Sequence, residues 1–252
     1  MKTIRIGSYH WMQATNGQLS FKEKIKLIQK IMLPNIMASI KINYFRFKAS
    51  NDFDMDQIVI PDTQMVKVAL DELEAKANIS IYNHSWRTYF WGAALGNMQK
   101  QQFDHESLLI ASLFHDIGLT EQHIQSKGCN CFTYESAKQF ELKAKEHSFD
   151  EKKSEVIRDA ICLHMNGYID HSDPAEITLL QQGASCDLIS DGLYRLPVSF
   201  RNEILEKYPR KQFNKEFIGL IDLEKKSVPN SRTGLLSELG LPLMIKSNTF
   251  KE

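Results

Sequence analysis

Cysteine is scarce in this chain. Cys129, Cys131, Cys162 and Cys186 are the only four among 252 residues. That is too few for a disulfide scaffold at this length, and they read as reduced thiols of a cytoplasmic protein. Neither sign of charge is in excess, since 31 Lys and Arg balance 31 Asp and Glu. No long basic tract occurs, so binding to nucleic acid or to an anionic membrane has no electrostatic support. Long apolar runs are missing as well. None reaches the roughly 18 residues that suggest a membrane span, and the N-terminus lacks an uninterrupted apolar signal region. Neither a signal peptide nor a membrane span is therefore expected. Strand patterning is almost absent. Only Ile58-Val59-Ile60 suggests a strand, and it is too short to define a sheet.

The remainder is ordinary for a globular protein, with 42% hydrophobic and 25% charged residues. The length suits one large domain or a domain with an appendage. The pattern is helical nearly throughout, and an all-α helical bundle is expected. Ser20-Phe21-Lys22-Glu23 is a capping box that opens an amphipathic stretch, which Pro34 interrupts. The polar run from Asn51 to Asp56 marks a boundary. It separates a helical N-terminal appendage (1–55) from a main domain (56–230), with a C-terminal extension (231–252). Caps at Asp62, Asp104, Thr133 and Asp150 predict helices near 63–77, 105–116, 134–147 and 151–165, with another over 80–101. Asp173-Pro174-Ala175-Glu176 reads as an N-cap, a proline at N1 and a glutamate at N3, opening a helix over 174–190. Shorter helices follow near 200–208 and 214–226. The last dozen residues look loosely held.

The most informative feature is Phe114-His115-Asp116-Ile117-Gly118. A His-Asp pair closes an apolar helix, His84 sits on the helix before it, and Asp187 sits on a later one. Two imidazoles and two carboxylates can hold one divalent ion and leave room for water and substrate. Adjacent residues on a regular helix point about 100° apart, so both members of the dyad can ligate only where the helix ends. Gly118 supplies that ending. Nitrogen and oxygen donors suit Zn²⁺, Fe²⁺ or Mn²⁺, with Zn²⁺ the first choice, and no thiolate is required. Zinc brings the pKa of water from ~15.7 to about 7, so a nucleophile becomes available at neutral pH.

His84, His115-Asp116 and Asp187, each on its own helix, resemble the H…HD…D pattern of the HD-domain metal-dependent hydrolase superfamily. Within it the chain is most similar to the cyanamide hydratase-like branch. The matching pieces are Asn83-His84-Ser85-Trp86-Arg87-Thr88-Tyr89, Leu113 to Gly118, Phe132-Thr133-Tyr134-Glu135, Ala160-Ile161-Cys162-Leu163-His164 and Leu179 to Asp187. Tyr208-Pro209-Arg210 adds a further echo. The likeness spans about residues 60–212. It implies an HD-domain helical bundle in which His84, His115, Asp116 and Asp187 bind one metal, and addition of water to a small nitrile-like molecule such as cyanamide.

Each residue also has a plainer reading. A lone histidine on an apolar helix is more often a hydrogen-bonded core residue than a ligand. Asp116 alone would be a helix-end carboxylate. Asp187 alone already needs an explanation, because buried carboxylates are paired or metal-bound. Asp116 is also expected to relay a proton. His164 reads as a pocket residue that orients substrate, or as a packed or capping histidine. Glu135 reads as a partner of a ligand histidine, or as an ordinary first-turn glutamate. Asn83 flanks His84 and is expected to bind substrate or to support a ligand histidine. Arg87 is expected to form an ion pair that fixes its helix. Trp86, Tyr89, Phe90 and Trp91 read mostly as core packing. His10, His105 and His147 are expected at the surface and His171 in a solvent-exposed loop, and His123, seven residues after the dyad, has no assigned role.

A phosphohydrolase acting on a nucleotide is the rival reading. Such enzymes need cationic groups to hold phosphate. Leu119 stands where many HD phosphodiesterases have lysine, although Lys127, Lys138 or Arg158 could serve. A two-iron oxygenase would need more ligand histidines than the helix after Thr133 offers. A non-catalytic HD-fold interaction domain would be favoured by a lost ligand, and none is lost. A small-molecule substrate is expected as the partner, with no nucleic acid and no membrane.

Overall fold

The computed structural model describes residues 4–42, 53–120 and 130–250. Twelve α-helices and no strand occur among them: α1 (Tyr9–Thr15), α2 (Phe21–Ile42), α3 (Gln64–Lys76), α4 (Ile79–Met98), α5 (His105–Phe114), α6 (Phe132–Glu146), α7 (Glu151–Leu163), α8 (Ala175–Ile189), α9 (Val198–Lys207), α10 (Phe213–Ser227), α11 (Arg232–Glu238) and α12 (Leu241–Lys246). No described helix is long and apolar enough to cross a membrane. The Ile58-Val59-Ile60 run is not a strand. It follows a single 3₁₀ turn at Met55–Gln57, and the Val59 carbonyl accepts a hydrogen bond from the Tyr89 hydroxyl.

α4 is the axis of the bundle and is buried along nearly its whole length. Asn78 starts it, its side-chain oxygen accepting the amides of Ser80 and Ile81. α8 packs closely along it, and glycine allows the approach. A β-carbon on Gly183 would lie 2.2 Å from the Thr88 carbonyl oxygen, and one on Gly92 would lie 2.7 Å from that of Leu179. No side chain fits between the backbones there, so α4 and α8 are held in one register. α5 and α7 close the other sides with apolar faces that include Leu109, Leu113, Ile157 and Ile161.

The Ser20 capping box forms as its residues predict, the Glu23 carboxylate accepting the Ser20 amide at 2.8 Å. Other helix starts differ from the sequence reading. Thr63, not Asp62, caps α3. α6 begins at Phe132, and Thr133 lies inside it. The amide of Phe132 finds its acceptor in the buried Glu224 of α10. Asp173 pairs with Arg5 instead of capping α8, and Glu176 accepts the Asp104 amide across the fold. At α6 and α8 a tertiary partner took the place of the local cap. Nor does Pro34 end its helix, since the backbone of α2 is helical to Ile42. His105 is half-buried against Tyr89 and Phe103 rather than surface-exposed, while His10, His147 and His171 are exposed. His123, Lys127, Cys129 and the first residues of the Asn51–Asp56 run lie outside the described residues.

The C-terminal segment is not loose. Asn248 donates to the carbonyls of Asp187 and Leu188 at 2.7 and 2.8 Å, where α8 runs out of intrahelical partners. Phe250 stacks on Trp91, with ring centroids 5.8 Å apart. Arg232 of α11 is buried and donates to the Cys162 carbonyl at the end of α7 and to Asn166 and Thr133.

Candidate metal centre

α5 ends at Phe114, and His115 and Asp116 occupy the turn before a 3₁₀ segment at Ile117–Leu119. The end of the helix lets both side chains of the dyad face the same way, as the sequence requires. Gly118 contributes differently from expectation. It does not adopt a left-handed conformation; a β-carbon there would lie 2.1 Å from the Phe132 carbonyl oxygen. Only glycine lets the turn lie against α6, where the Gly118 amide donates to Ser136 at 2.9 Å.

The structure brings His84, His115 and Asp116 together, each no more than 1% exposed. His115 Nδ1 donates to the Ser112 carbonyl at 2.7 Å, which leaves Nε2 as a lone pair. His84 Nδ1 donates to Asp187 at 2.7 Å, which frees its Nε2 on the opposite edge of the ring. The two Nε2 atoms are 3.2 Å apart. Asp116 Oδ2 lies 3.3 Å from one and 3.2 Å from the other. Both Asp116 oxygens are buried and lack a hydrogen-bond donor. Three acceptors facing one another need a shared positive charge, which a divalent cation at their centre, or a proton on one ring, supplies. Their spacing fits as well: ligands about 2.0–2.1 Å from a tetrahedral ion lie roughly 3.3 Å from one another. Burial disfavours a charge on His84, but Asp116 and Asp187 outweigh it and lift the pKa of the ring. The field that attracts a proton there attracts a divalent cation, which competes with it.

Asp187 does not join that triangle. Its carboxylate accepts from Arg87 Nε and Nη2 at 2.8 and 2.9 Å, from Trp91 Nε1 at 3.0 Å and from Arg210 Nη1 at 3.3 Å, besides His84. Burial alone would raise its pKa. Arg87 and Arg210 reverse this and hold the carboxyl well below the usual range. The ion pair expected of Arg87 is thus with Asp187, and Trp91 has a polar task beyond packing.

His164 sits at the end of α7 as His115 does at the end of α5. Its Nδ1 donates to the Ile161 carbonyl at 2.7 Å, and its Nε2 faces Asp116 Oδ1 at 3.6 Å. Burial, and next the neighbouring His115 imidazole, push its pKa down to about 3, so the ring is neutral. Asn83 donates to the Pro209 carbonyl at 2.7 Å. Glu135 does not touch a ligand histidine; it holds Asn130 and Lys138 at 2.6 and 3.0 Å.

Sequence reasoning missed the wall of the site. Phe213 stacks on the His84 ring at 4.4 Å between centroids, and Phe217 lies at 5.8 Å. Phe132 packs edge-on against His164 at 5.7 Å. These rings belong to a second apolar cluster with Leu119, Met165 and Leu188. The spacing of Phe213, Phe217 and Ile221 on one helical face was the available signal.

The HD domain family model matches residues 81–186, which include His84, His115 and Asp116 and stop one residue before Asp187. No curated protein matches the chain. An HD domain with a buried His–His–Asp cluster is the arrangement expected of a metal-dependent hydrolase.

Proposed function

We propose that this HD-domain chain is a metal-dependent enzyme that adds water to a small, neutral, nitrile-like substrate, of which cyanamide is the simplest probe. The observation that carries the proposal is the buried triangle of His84 Nε2, His115 Nε2 and Asp116 Oδ2, whose carboxylate oxygens have no donor. A divalent ion held by these residues, Zn²⁺ first and Fe²⁺ or Mn²⁺ as alternatives, would supply Lewis acidity and a nucleophilic water at neutral pH.

The chain's own residues support a neutral substrate over a phosphoester. Arg87 and Arg210 are engaged with Asp187. Lys138 is engaged with Glu135, and Arg158 with Glu141 and Glu151. The described cations nearest to the candidate role of holding phosphate are therefore already paired. The wall over His84 and His164 is aromatic, which excludes bulk water and favours a small uncharged guest. In hydration of cyanamide a carbon–oxygen bond forms at the nitrile carbon, one carbon–nitrogen π bond breaks and a proton passes from water to the nitrogen, giving isourea; transfer of the remaining hydroxyl proton to that nitrogen breaks the second π bond as the carbonyl forms, giving urea. His164 Nε2 is a neutral acceptor suited to an N–H of the substrate. Asp116 Oδ1, turned toward His164, is placed to hold the proton in transit.

The test uses chelator-treated protein reloaded with Zn²⁺, Fe²⁺ or Mn²⁺ and assayed in parallel on cyanamide and a nucleotide panel. Urea formation that needs metal, and that His115→Ala or Asp116→Ala abolishes together with bound metal but without loss of helical circular dichroism, is the expected result. Phosphate release from nucleotides with no urea from the same sample would move the reaction to phosphoester hydrolysis. Failure to take up any divalent metal would end the hydrolytic reading.

A further inference from the structure

Resting on the metal-centre reading above, we infer that Asp187 is a positioning residue, and that His84, His115 and Asp116 are the protein ligands the ion receives from these four side chains. A carboxylate offers about four lone-pair sites. Asp187 already receives five N–H groups, from Arg87 twice and from Trp91, Arg210 and His84 once each. All are buried, so none can be replaced by water. The Asp187 oxygens also lie at the wrong edge of the imidazole. They hold Nδ1 of His84, whereas the Nε2 edge faces His115 and Asp116. To ligate, Asp187 would have to leave a bidentate arginine pair that nothing else in its surroundings replaces.

In its observed place it has a definite task. It takes the Nδ1 hydrogen of His84, fixes the tautomer that presents Nε2, and makes that nitrogen more basic. The clamp on Asp187 extends further than the HD match. Arg210 reaches it from the turn before α10, and the Arg210 guanidinium lies 5.1 Å above the Phe250 ring. Trp91 is stacked on the same phenylalanine. Asn248 holds the Asp187 carbonyl. The segment around 248–250 therefore acts on the metal centre through Trp91, Arg210 and Asp187 without touching it.

Arg87→Met separates the two roles by sign. If Asp187 positions His84, loss of Arg87 loosens the clamp and weakens Zn²⁺ binding by about 10–100-fold, the usual effect of losing an outer partner of a metal ligand. If Asp187 is a ligand, Arg87 competes with the ion for the same oxygens, and its removal tightens binding. Affinity is read by competition with a chromophoric chelator, using Zn²⁺ alone. A second measurement needs no variant. In the Zn²⁺-loaded wild-type protein, with histidine labelled at nitrogen, the Nδ1 proton of His84 remains in its hydrogen bond, and a crystal structure shows no Asp187 oxygen near the ion. Tighter Zn²⁺ binding by Arg87→Met, or an Asp187 oxygen at about 2.0–2.2 Å from zinc, overturns the inference while leaving the metal centre standing. No Zn²⁺ uptake by the wild-type protein overturns both.

Discussion

Removing Arg87 should cost more stability than its distance from the surface of any cleft suggests. Its side chain is fully buried and makes two bonds to Asp187, at 2.8 and 2.9 Å, and one to the Tyr208 carbonyl at 3.0 Å. Arg87→Met preserves most of the apolar stem but leaves the Asp187 charge to Arg210, whose own contact is longer at 3.3 Å. Breaking a buried pair by deleting one partner typically costs about 3–5 kcal/mol, because the partner's charge remains desolvated. For a chain of this size each kcal/mol lowers Tm by about 2–4 °C, so a fall of roughly 6–20 °C is expected. Asp187→Asn should be similarly costly. The double variant should be less destabilised than the sum of the two by about 2 kcal/mol or more, since it leaves neither charge stranded. Thermal and urea unfolding of the four proteins, all in chelator, close the cycle. Additive losses, agreeing within about 0.5 kcal/mol, would refute the idea that these two residues act as one buried unit.

Two further outcomes follow from the same geometry. His164→Ala should retain bound metal but slow hydration by about 10²–10⁴-fold, the range in which a positioned acid–base group acts; unchanged turnover would remove His164 from the reaction. Gly183→Ala puts a β-carbon 2.2 Å from the Thr88 carbonyl oxygen and should destabilise by about 1–3 kcal/mol, read by differential scanning calorimetry. An unaltered Tm would show that α4 and α8 are not locked where the structure places them.

The helices were legible because amphipathic period and turn residues are written locally. α4, α5, α7 and α8 lie close to the spans their residues suggest, and the sequence alone pointed to His84 and the His115-Asp116 dyad that the fold brings together. Three things were not local. Thr133 and Asp173 both look like caps, but Glu224 reaches the start of α6 from another helix, and Arg5 takes Asp173. Which nitrogen of His84 meets Asp187 depends on how α8 lies against α4, and no spacing in the sequence encodes a ring edge. The docked Asn248 and Phe250 sit in a polar, unpatterned stretch, and their partners lie far away in sequence, Asp187 about sixty residues before Asn248 and Trp91 more than a hundred before Phe250.

That last separation sets an order of events. On a chain made from its N-terminus, α4 with His84, Arg87 and Trp91 emerges early and packs with α5. The anchor for Trp91 and the overlay for Arg210 arrive only with Phe250. Until then the Asp187 carbonyl lacks Asn248, and α8 ends with unsatisfied acceptors. The nascent bundle thus carries its candidate ligand residues before it can hold them still. The centre therefore depends on a segment that follows all of its candidate ligands in the chain, and a protein truncated before residue 248 would keep its helices while His84 lacks its final brace.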